Sequence, residues 1–186
     1  MFAGKSQELL RRVDCARRAG RSVTVVGHRL DDRAGPQRLS THAGASLPAR
    51  MLSAPEELQT LLGEDLPDLL ALDEAQFFGP GLVPVLEELL DAGIDVHVAG
   101  LCVTYDAGPF APLPALMASA EEVVKLTAVC VLCGADAVFH ERLVGGDDDA
   151  LAATPGHVGG AESYRAVCRR HHRGRGAGLG GGAGLR

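Results

Sequence analysis

The sequence predicts an α/β fold: a parallel sheet with helices on both faces, to which a small cysteine- and histidine-bearing unit is appended. Three observations carry this. Short β-branched or apolar runs alternate with amphipathic segments along residues 1–129, the rhythm of strands joined by crossover helices. Gly4-Lys5-Ser6 opens one amphipathic segment, and the apolar run Leu69–Leu72 ends in Asp73-Glu74. From Cys130 that rhythm gives way to short extended pieces, glycine pairs and two cysteine-containing pairs.

Residues 6–19 place Leu9, Leu10, Val13 and Ala16 on one helical face and end at Gly20. Arg11, Arg12, Arg17, Arg18 and Arg21 fall on the solvated side. Ser22–Val26, bounded by Gly20 and Gly27, reads as a buried strand. Residues 28–50 show no steady period and are read as a long loop, a length that in compact domains usually goes with function or disorder. Pro55–Leu62 is a short helix stopped by Gly63, and Asp68–Asp73 a strand. Residues 82–92 form a helix ending at Gly93, and 95–100 the next strand, in which His97 is a core or partly exposed residue. A further short helix over 113–120 and a strand over Glu122–Leu126 complete the pattern. The tail 173–186 is glycine- and arginine-rich with two leucines, a composition that predicts disorder.

The 186 residues, 46% hydrophobic, suffice for one cored domain with a small appendage over about 130–172. A net charge of −6 argues against a general nucleic-acid binder, which needs excess Lys and Arg to displace counterions. Neither a membrane-spanning apolar run nor a signal peptide is evident, so a cytoplasmic location without membrane partners is expected. Five cysteines in such a chain point to metal ligands or free thiols before disulfides. Cys15 and Cys102 stand alone and are read as buried thiols.

Gly4, Lys5 and Ser6 fill the last three places of a G-x-x-x-x-G-K-[ST] loop, whose backbone N–H groups cradle phosphates while Lys reaches the β/γ-phosphates and Ser ligates Mg²⁺. The loop's first glycine falls two positions before Met1, so the expectation is a chain begun inside the motif, at an internal Met, without the strand that leads into it. Asp73 is placed to hold Mg²⁺ opposite Ser6, and Glu74 to take a proton from an attacking hydroxyl. Cys130-x-x-Cys133 and Cys168-x-x-His171 have the spacing of a four-ligand Zn²⁺ site with no open position, hence structural, with His172 the alternative fourth ligand. Between the pairs, Val158-Gly159-Gly160 precedes Tyr164, where glycines permit close backbone approach to a ligand.

MFAGKS, LDEAQFF, VVKLTAVCVLCG, GGAESY and CRRH occur together in this order, and with them the chain resembles the zinc-containing thymidine kinases over residues 1 to about 172. The resemblance implies a P-loop kinase domain over 1–129 and a zinc-ribbon-like lasso domain over 130–172. It implies transfer of the ATP γ-phosphate, with Mg²⁺, to the 5′-hydroxyl of thymidine or deoxyuridine, a homotetramer, and thymidine triphosphate as feedback inhibitor. By the same resemblance Glu74 is the base and Arg33 a catalytic cation; Gly4, Lys5, Ser6, Asp73 and Gln76 serve ATP and Mg²⁺. Met1, Phe77, Leu101, Tyr105, Val158, Gly159 and Tyr164 surround the nucleoside, and Cys130, Cys133, Cys168 and His171 hold the metal. Cys102-Val-Thr-Tyr105 stands where that family usually has Asp after the Leu and Phe at the last place; His140 stands where some relatives have Thr near the thymine. The alternative is a zinc-bearing relative that keeps the fold without kinase activity. A helicase-type ATPase, suggested by Asp-Glu-Ala-Gln, lacks room for a second lobe.

Overall fold

The computed structural model describes residues 1–31, 37–40, 46–63, 66–143 and 162–172. Its centre is a four-stranded parallel sheet in the order β4-β1-β5-β6, formed by β1 (Val23–His28), β4 (Arg50–Leu52), β5 (Leu69–Leu72) and β6 (Asp95–Val98). Side-chain alternation along the strands divides the core between two faces. Val26, Leu70 and Leu72 pack against α2 (Glu56–Leu62) and α3 (Leu82–Asp91) through Leu58, Leu62, Leu82, Val85, Leu86 and Leu89. On the opposite face, Val25 and Ala71 meet α1 (Lys5–Arg18) at Leu9, Leu10 and Val13. The small Ala71 is what allows α1 to lie close to the central strand. Helices thus cover both faces, as the uninterrupted apolar run in β5 requires.

The buried face of α1 is the one the sequence periodicity gives: Leu9, Leu10, Val13 and Ala16. Two expectations need correction. The stretch read as a long loop carries β2 (Arg38–Ser40) and β3 (Ser46–Pro48) among its described residues, and β4 begins at its last residue, Arg50. Strands of three residues are too short to show a period, and Gly and Pro around them mask what signal remains. Conversely, Glu122–Leu126 is not a strand. It pairs with no described strand and leaves Val123 and Val124 about half exposed, 46% and 51%, so its β-branched run has no ladder to join. Glu122 instead receives both guanidinium nitrogens of Arg12, at 2.8 and 3.0 Å, which ties this segment to α1.

After α4 (Leu113–Ser119), two antiparallel pairs make the second unit: β7 (Ala128–Val129) with β8 (Asp136–Ala137), and β9 (Phe139–Arg142) with β10 (Tyr164–Val167). Its core of Ala128, Cys130, Ala137, Phe139, Ala166, Val167 and Cys168 also takes in Phe2, Ala3, Val103 and Ala107. The second unit is therefore packed directly on the start of the chain and on the loop after β6. That contact surrounds the carboxyl ends of β5 and β6, where ligands bind in open parallel sheets.

Candidate active site

β5 ends by delivering Asp73, whose backbone N–H is held by Val26 O at 2.9 Å, into the space in front of α1. Its side chain is 1% exposed. One carboxyl oxygen, Oδ1, accepts the Glu74 N–H at 2.9 Å, while Oδ2 is buried with no hydrogen-bond partner among the described residues. Burial raises the Asp73 carboxyl to about 6, the neighbouring Glu74 charge adds to the rise, and the Ser6 hydroxyl and Lys5 ammonium oppose it. An orphaned carboxylate oxygen with a hydroxyl and an ammonium beside it fits a hydrated divalent cation, which would relieve the desolvation. Gly4, at φ 79°, supplies the left-handed turn that leads into α1 and lets Lys5 and Ser6 face Asp73. Gly4-Lys5-Ser6 and Asp73-Glu74, far apart in sequence, meet here.

Glu74 adopts φ 53°, a left-handed conformation uncommon for a side chain with a Cβ. The backbone reverses there into the 3-10 turn Ala75–Phe78, and Ala75 N–H donates to Ala99 O on the neighbouring strand's extension. Gln76, expected with the ATP and Mg²⁺ group, is buried and uses both ends of its amide. Its Nε2 donates to Glu74 Oε2, and its Oε1 accepts the Leu101 N–H at 2.9 Å. Gly100 makes this possible: a Cβ there would lie 2.9 Å from Gln76 Oε1 and 3.0 Å from Leu113. No local sequence signal marks Gly100 or the amide relay, because both depend on the approach of β6 to β5.

Three of the residues expected near a nucleoside, Met1, Phe77 and Leu101, lie beside this pair. Met1 is within electrostatic reach of Lys5, Glu74 and Cys102. Phe77 and Phe78 pack on His28, with ring centroids 5.6 and 4.7 Å away. His28 was not among the expected site residues; its buried ring accepts the Leu30 N–H on Nδ1 and sets Nε2 toward Ser53 O, so it shapes the wall behind Phe77. Burial lowers its pKa. Tyr164 stands edge-on to His140 at 5.6 Å, and burial together with the cationic neighbourhood of Met1 and Lys5 lowers His140 to about 3. Leu101 and Tyr105 are half-buried. Arg33, Val158 and Gly159 lie outside the described residues.

The second unit gathers Cys130, Cys133, Cys168 and His171, whose ligand atoms all lie within 4.8 Å of one another. Cys133 Sγ and Cys168 Sγ are 3.8 Å apart, and His171 Nδ1 is 3.3 Å from Cys168 Sγ and 3.6 Å from Cys130 Sγ. A tetrahedral ion with bonds of about 2.3 Å to sulfur has ligand-to-ligand edges of about 3.8 Å. The cluster can therefore hold a metal ion as it stands. Burial opposes ionisation of Cys130, but backbone hydrogen bonds from Cys168 and Leu132 bring its thiol down to about 6, toward the thiolate that binds metal. His171 is the fourth ligand atom; His172 turns away, its Nε2 lying 2.8 Å from Tyr105 O. Of the remaining thiols Cys15 is exposed and Cys102 half-buried, which corrects the reading of both as buried; Cys15 sits on α1 one position before the apolar Ala16 and so off its core face.

A family-wide comparison matches residues 1–172 to the family described as "Thymidine kinase". Among curated proteins the chain is similar to a "Thymidine kinase" of Deinococcus deserti, 42% identical over 181 residues, covering 92% of this chain and 90% of that protein. It is likewise similar to a "Thymidine kinase" of Deinococcus radiodurans, 41% identical over 186 residues, covering 95% and 87% of the two chains.

The raised pKa of Asp73 fixes the sign of a pH effect. Folding favours its protonated form, so the stability tied to this group is full below about 3.8 and is lost as pH rises through about 6. At neutral pH Asp73→Asn is expected to stabilise the metal-free protein, by on the order of 1–3 kcal/mol. If Asp73 holds a divalent cation, Asp73→Asn is also expected to remove the stabilisation that Mg²⁺ adds above pH 6. Thermal unfolding at pH 5 and pH 8, with and without Mg²⁺ and ATP, checks both.

Proposed function

The chain belongs to the thymidine kinase family, and we propose that it transfers the γ-phosphoryl group of ATP to the 5′-hydroxyl of thymidine or deoxyuridine. The observation that carries this reading is the meeting of Gly4-Lys5-Ser6 at the head of α1 with the buried acids Asp73 and Glu74 at the end of β5. Phosphoryl transfer asks a protein mainly for alignment and for neutralisation of spreading negative charge. The N-terminus of α1 and the Lys5 ammonium meet the β- and γ-phosphates. Asp73 and Ser6 would hold Mg²⁺, which would supply positive charge against the phosphate oxygens. Glu74 accepts the proton of the 5′-hydroxyl as that oxygen bonds to the γ-phosphorus and the bond to ADP breaks. Gln76 keeps the Glu74 carboxylate aimed, being fixed in turn by Leu101. Arg33 supplies further positive charge at the phosphates.

Met1, Phe77, Leu101, Tyr105 and Tyr164 enclose the nucleoside, with Val158 and Gly159 contributing from the segment that precedes Tyr164. The buried, neutral His140 lines the same chamber beside Tyr164. Residues 130–172 act as a lasso domain on the kinase domain 1–129, and Cys130, Cys133, Cys168 and His171 hold a structural Zn²⁺ with no position left for water. A cytoplasmic homotetramer inhibited by thymidine triphosphate, without nucleic-acid or membrane partners, completes the proposal; no helix among the described residues is long and apolar enough to cross a membrane. The non-catalytic alternative is not favoured, since the match to the family runs through every element named above.

Glu74→Ala is expected to lower kcat for thymidine phosphorylation by ~10³-fold, within the range for loss of a general base, with folding and zinc content unchanged. Retained turnover would remove Glu74 from the role. Cys168→Ser is expected to drop bound zinc well below one ion per chain and to lower the unfolding temperature, both read by metal analysis and calorimetry.

A further inference from the structure

Tyr105 lies in the tight loop after β6, where Thr104 N–H donates to Gly108 O at 2.9 Å and Ala107 N–H to Thr104 O at 3.0 Å. The second unit grips it from two directions. Its carbonyl faces His172 Nε2 at 2.8 Å, and its ring lies under the Arg142 guanidinium, 5.7 Å from the centroid. A carbonyl oxygen can only accept, so His172 carries its proton on Nε2.

His172 belongs to the same turn as the metal ligands. The backbone N–H groups of His171 and His172 both donate to Cys168 O, at 3.0 and 3.1 Å. From that turn the His171 ring points into the sulfur cluster and the His172 ring points out to Tyr105. The His172 ring is 4% exposed and packs on Phe139 at 5.3 Å. Its other nitrogen, Nδ1, is buried with no hydrogen-bond partner among the described residues. An imidazole that leaves one nitrogen unsatisfied is a worse filler for this space than a phenyl ring, unless the proton on its other nitrogen is needed.

We propose that His172 is a positioning residue that latches the nucleoside wall to the metal-binding turn, so that an ordered Cys130/Cys133/Cys168/His171 site sets nucleoside affinity through Tyr105. This rests on the assignment of Tyr105 to the nucleoside wall. The turn that carries His172 also carries Cys168 and His171, so a metal ion held by them would order it, and the Nε2–H bond would pass that order to the Tyr105 backbone. The Arg142 contact then fixes the ring, from the strand that pairs Arg142 with Tyr164. The two sides of the nucleoside chamber, one on the kinase sheet and one on the second unit, are thereby held in register.

The test uses the zinc-loaded full chain and three variants. His172→Phe keeps the ring volume and removes the donor; His172→Gln keeps an amide donor near the Nε2 position. His172→Phe is expected to raise KM for thymidine about fivefold to tenfold, the factor corresponding to one net hydrogen bond, with kcat, KM for ATP and zinc content near parental values. His172→Gln stays close to the parent. Because the chain has two tyrosines and no tryptophan, tyrosine emission reports only Tyr105 and Tyr164, and thymidine titrations followed by it must weaken in parallel. An unchanged KM in His172→Phe, or an equal loss in His172→Gln, overturns the latch. Tyr105→Leu separates the two readings: an unchanged KM there means that the nucleoside wall itself is wrongly assigned, and the latch falls with it. Should His172→Phe not fold or not keep zinc, ¹⁵N spectra of the histidine rings in the unmodified protein decide. The Nε2-protonated His172 resonance must move when thymidine binds, and one that stays put overturns the proposal.

Discussion

Two acids at the carboxyl end of one buried strand are the constraint on which the rest of the molecule depends. β5 is apolar and covered on both faces, so the chain that leaves it carries Asp73 and Glu74 into a volume from which water is largely excluded. Adjacent carboxylates in such a place repel each other and are poorly solvated. Each is met by different groups. Asp73 has Ser6 and Lys5 from the head of α1, and Glu74 has the Gln76 amide. The separation matters chemically, because the first environment suits a cation and the second leaves a carboxylate oriented to take a proton.

Much of the fold serves that arrangement. Ala71 admits α1 against the sheet on one side, which brings Lys5 and Ser6 up to Asp73. Gly100 admits the Gln76 side chain on the other, which brings Leu101 N–H within 2.9 Å of its amide oxygen. The second unit packs on Phe2, Ala3, Val103 and Ala107, beside the carboxyl ends of β5 and β6. Its cysteine and histidine cluster sits in a small core, which a metal ion held there would stabilise. A metal site is the usual means by which so small a core holds its shape.

The elements that were legible in the sequence are those whose signal is local. The helical face Leu9, Leu10, Val13 and Ala16, the run Leu69–Leu72 and the two pairs Cys130/Cys133 and Cys168/His171 each declare themselves within a few turns of chain, and the structure bears out their form. The strands β2, β3 and β4 did not, because three residues carry no period. Glu122–Leu126 shows the reverse: its composition suits a strand, but a strand exists only where a neighbour offers hydrogen bonds, and no described strand does so. Within the site, the Gly-Lys-Ser and Asp-Glu pieces were readable as motifs, and the resemblance they carry agrees with the family match. The contacts of Gly100, His28 and His172 were not, since each reaches a residue 13 to 67 positions away. Choosing His171 over His172 likewise needed the direction of each ring, which spacing alone leaves open.

In the proposed mechanism Gln76 acts on the chemistry through Glu74, whose carboxylate its amide holds. Steady-state kinetics of Gln76→Leu, Glu74→Ala and the double variant test it most directly. Gln76→Leu is expected to lower kcat by about tenfold or more with KM for thymidine little changed, and the double variant to be no slower than Glu74→Ala alone, as for residues that act as one unit. A Gln76→Leu enzyme at the parental rate, or a double variant whose loss is the full product of the two single losses, would contradict it.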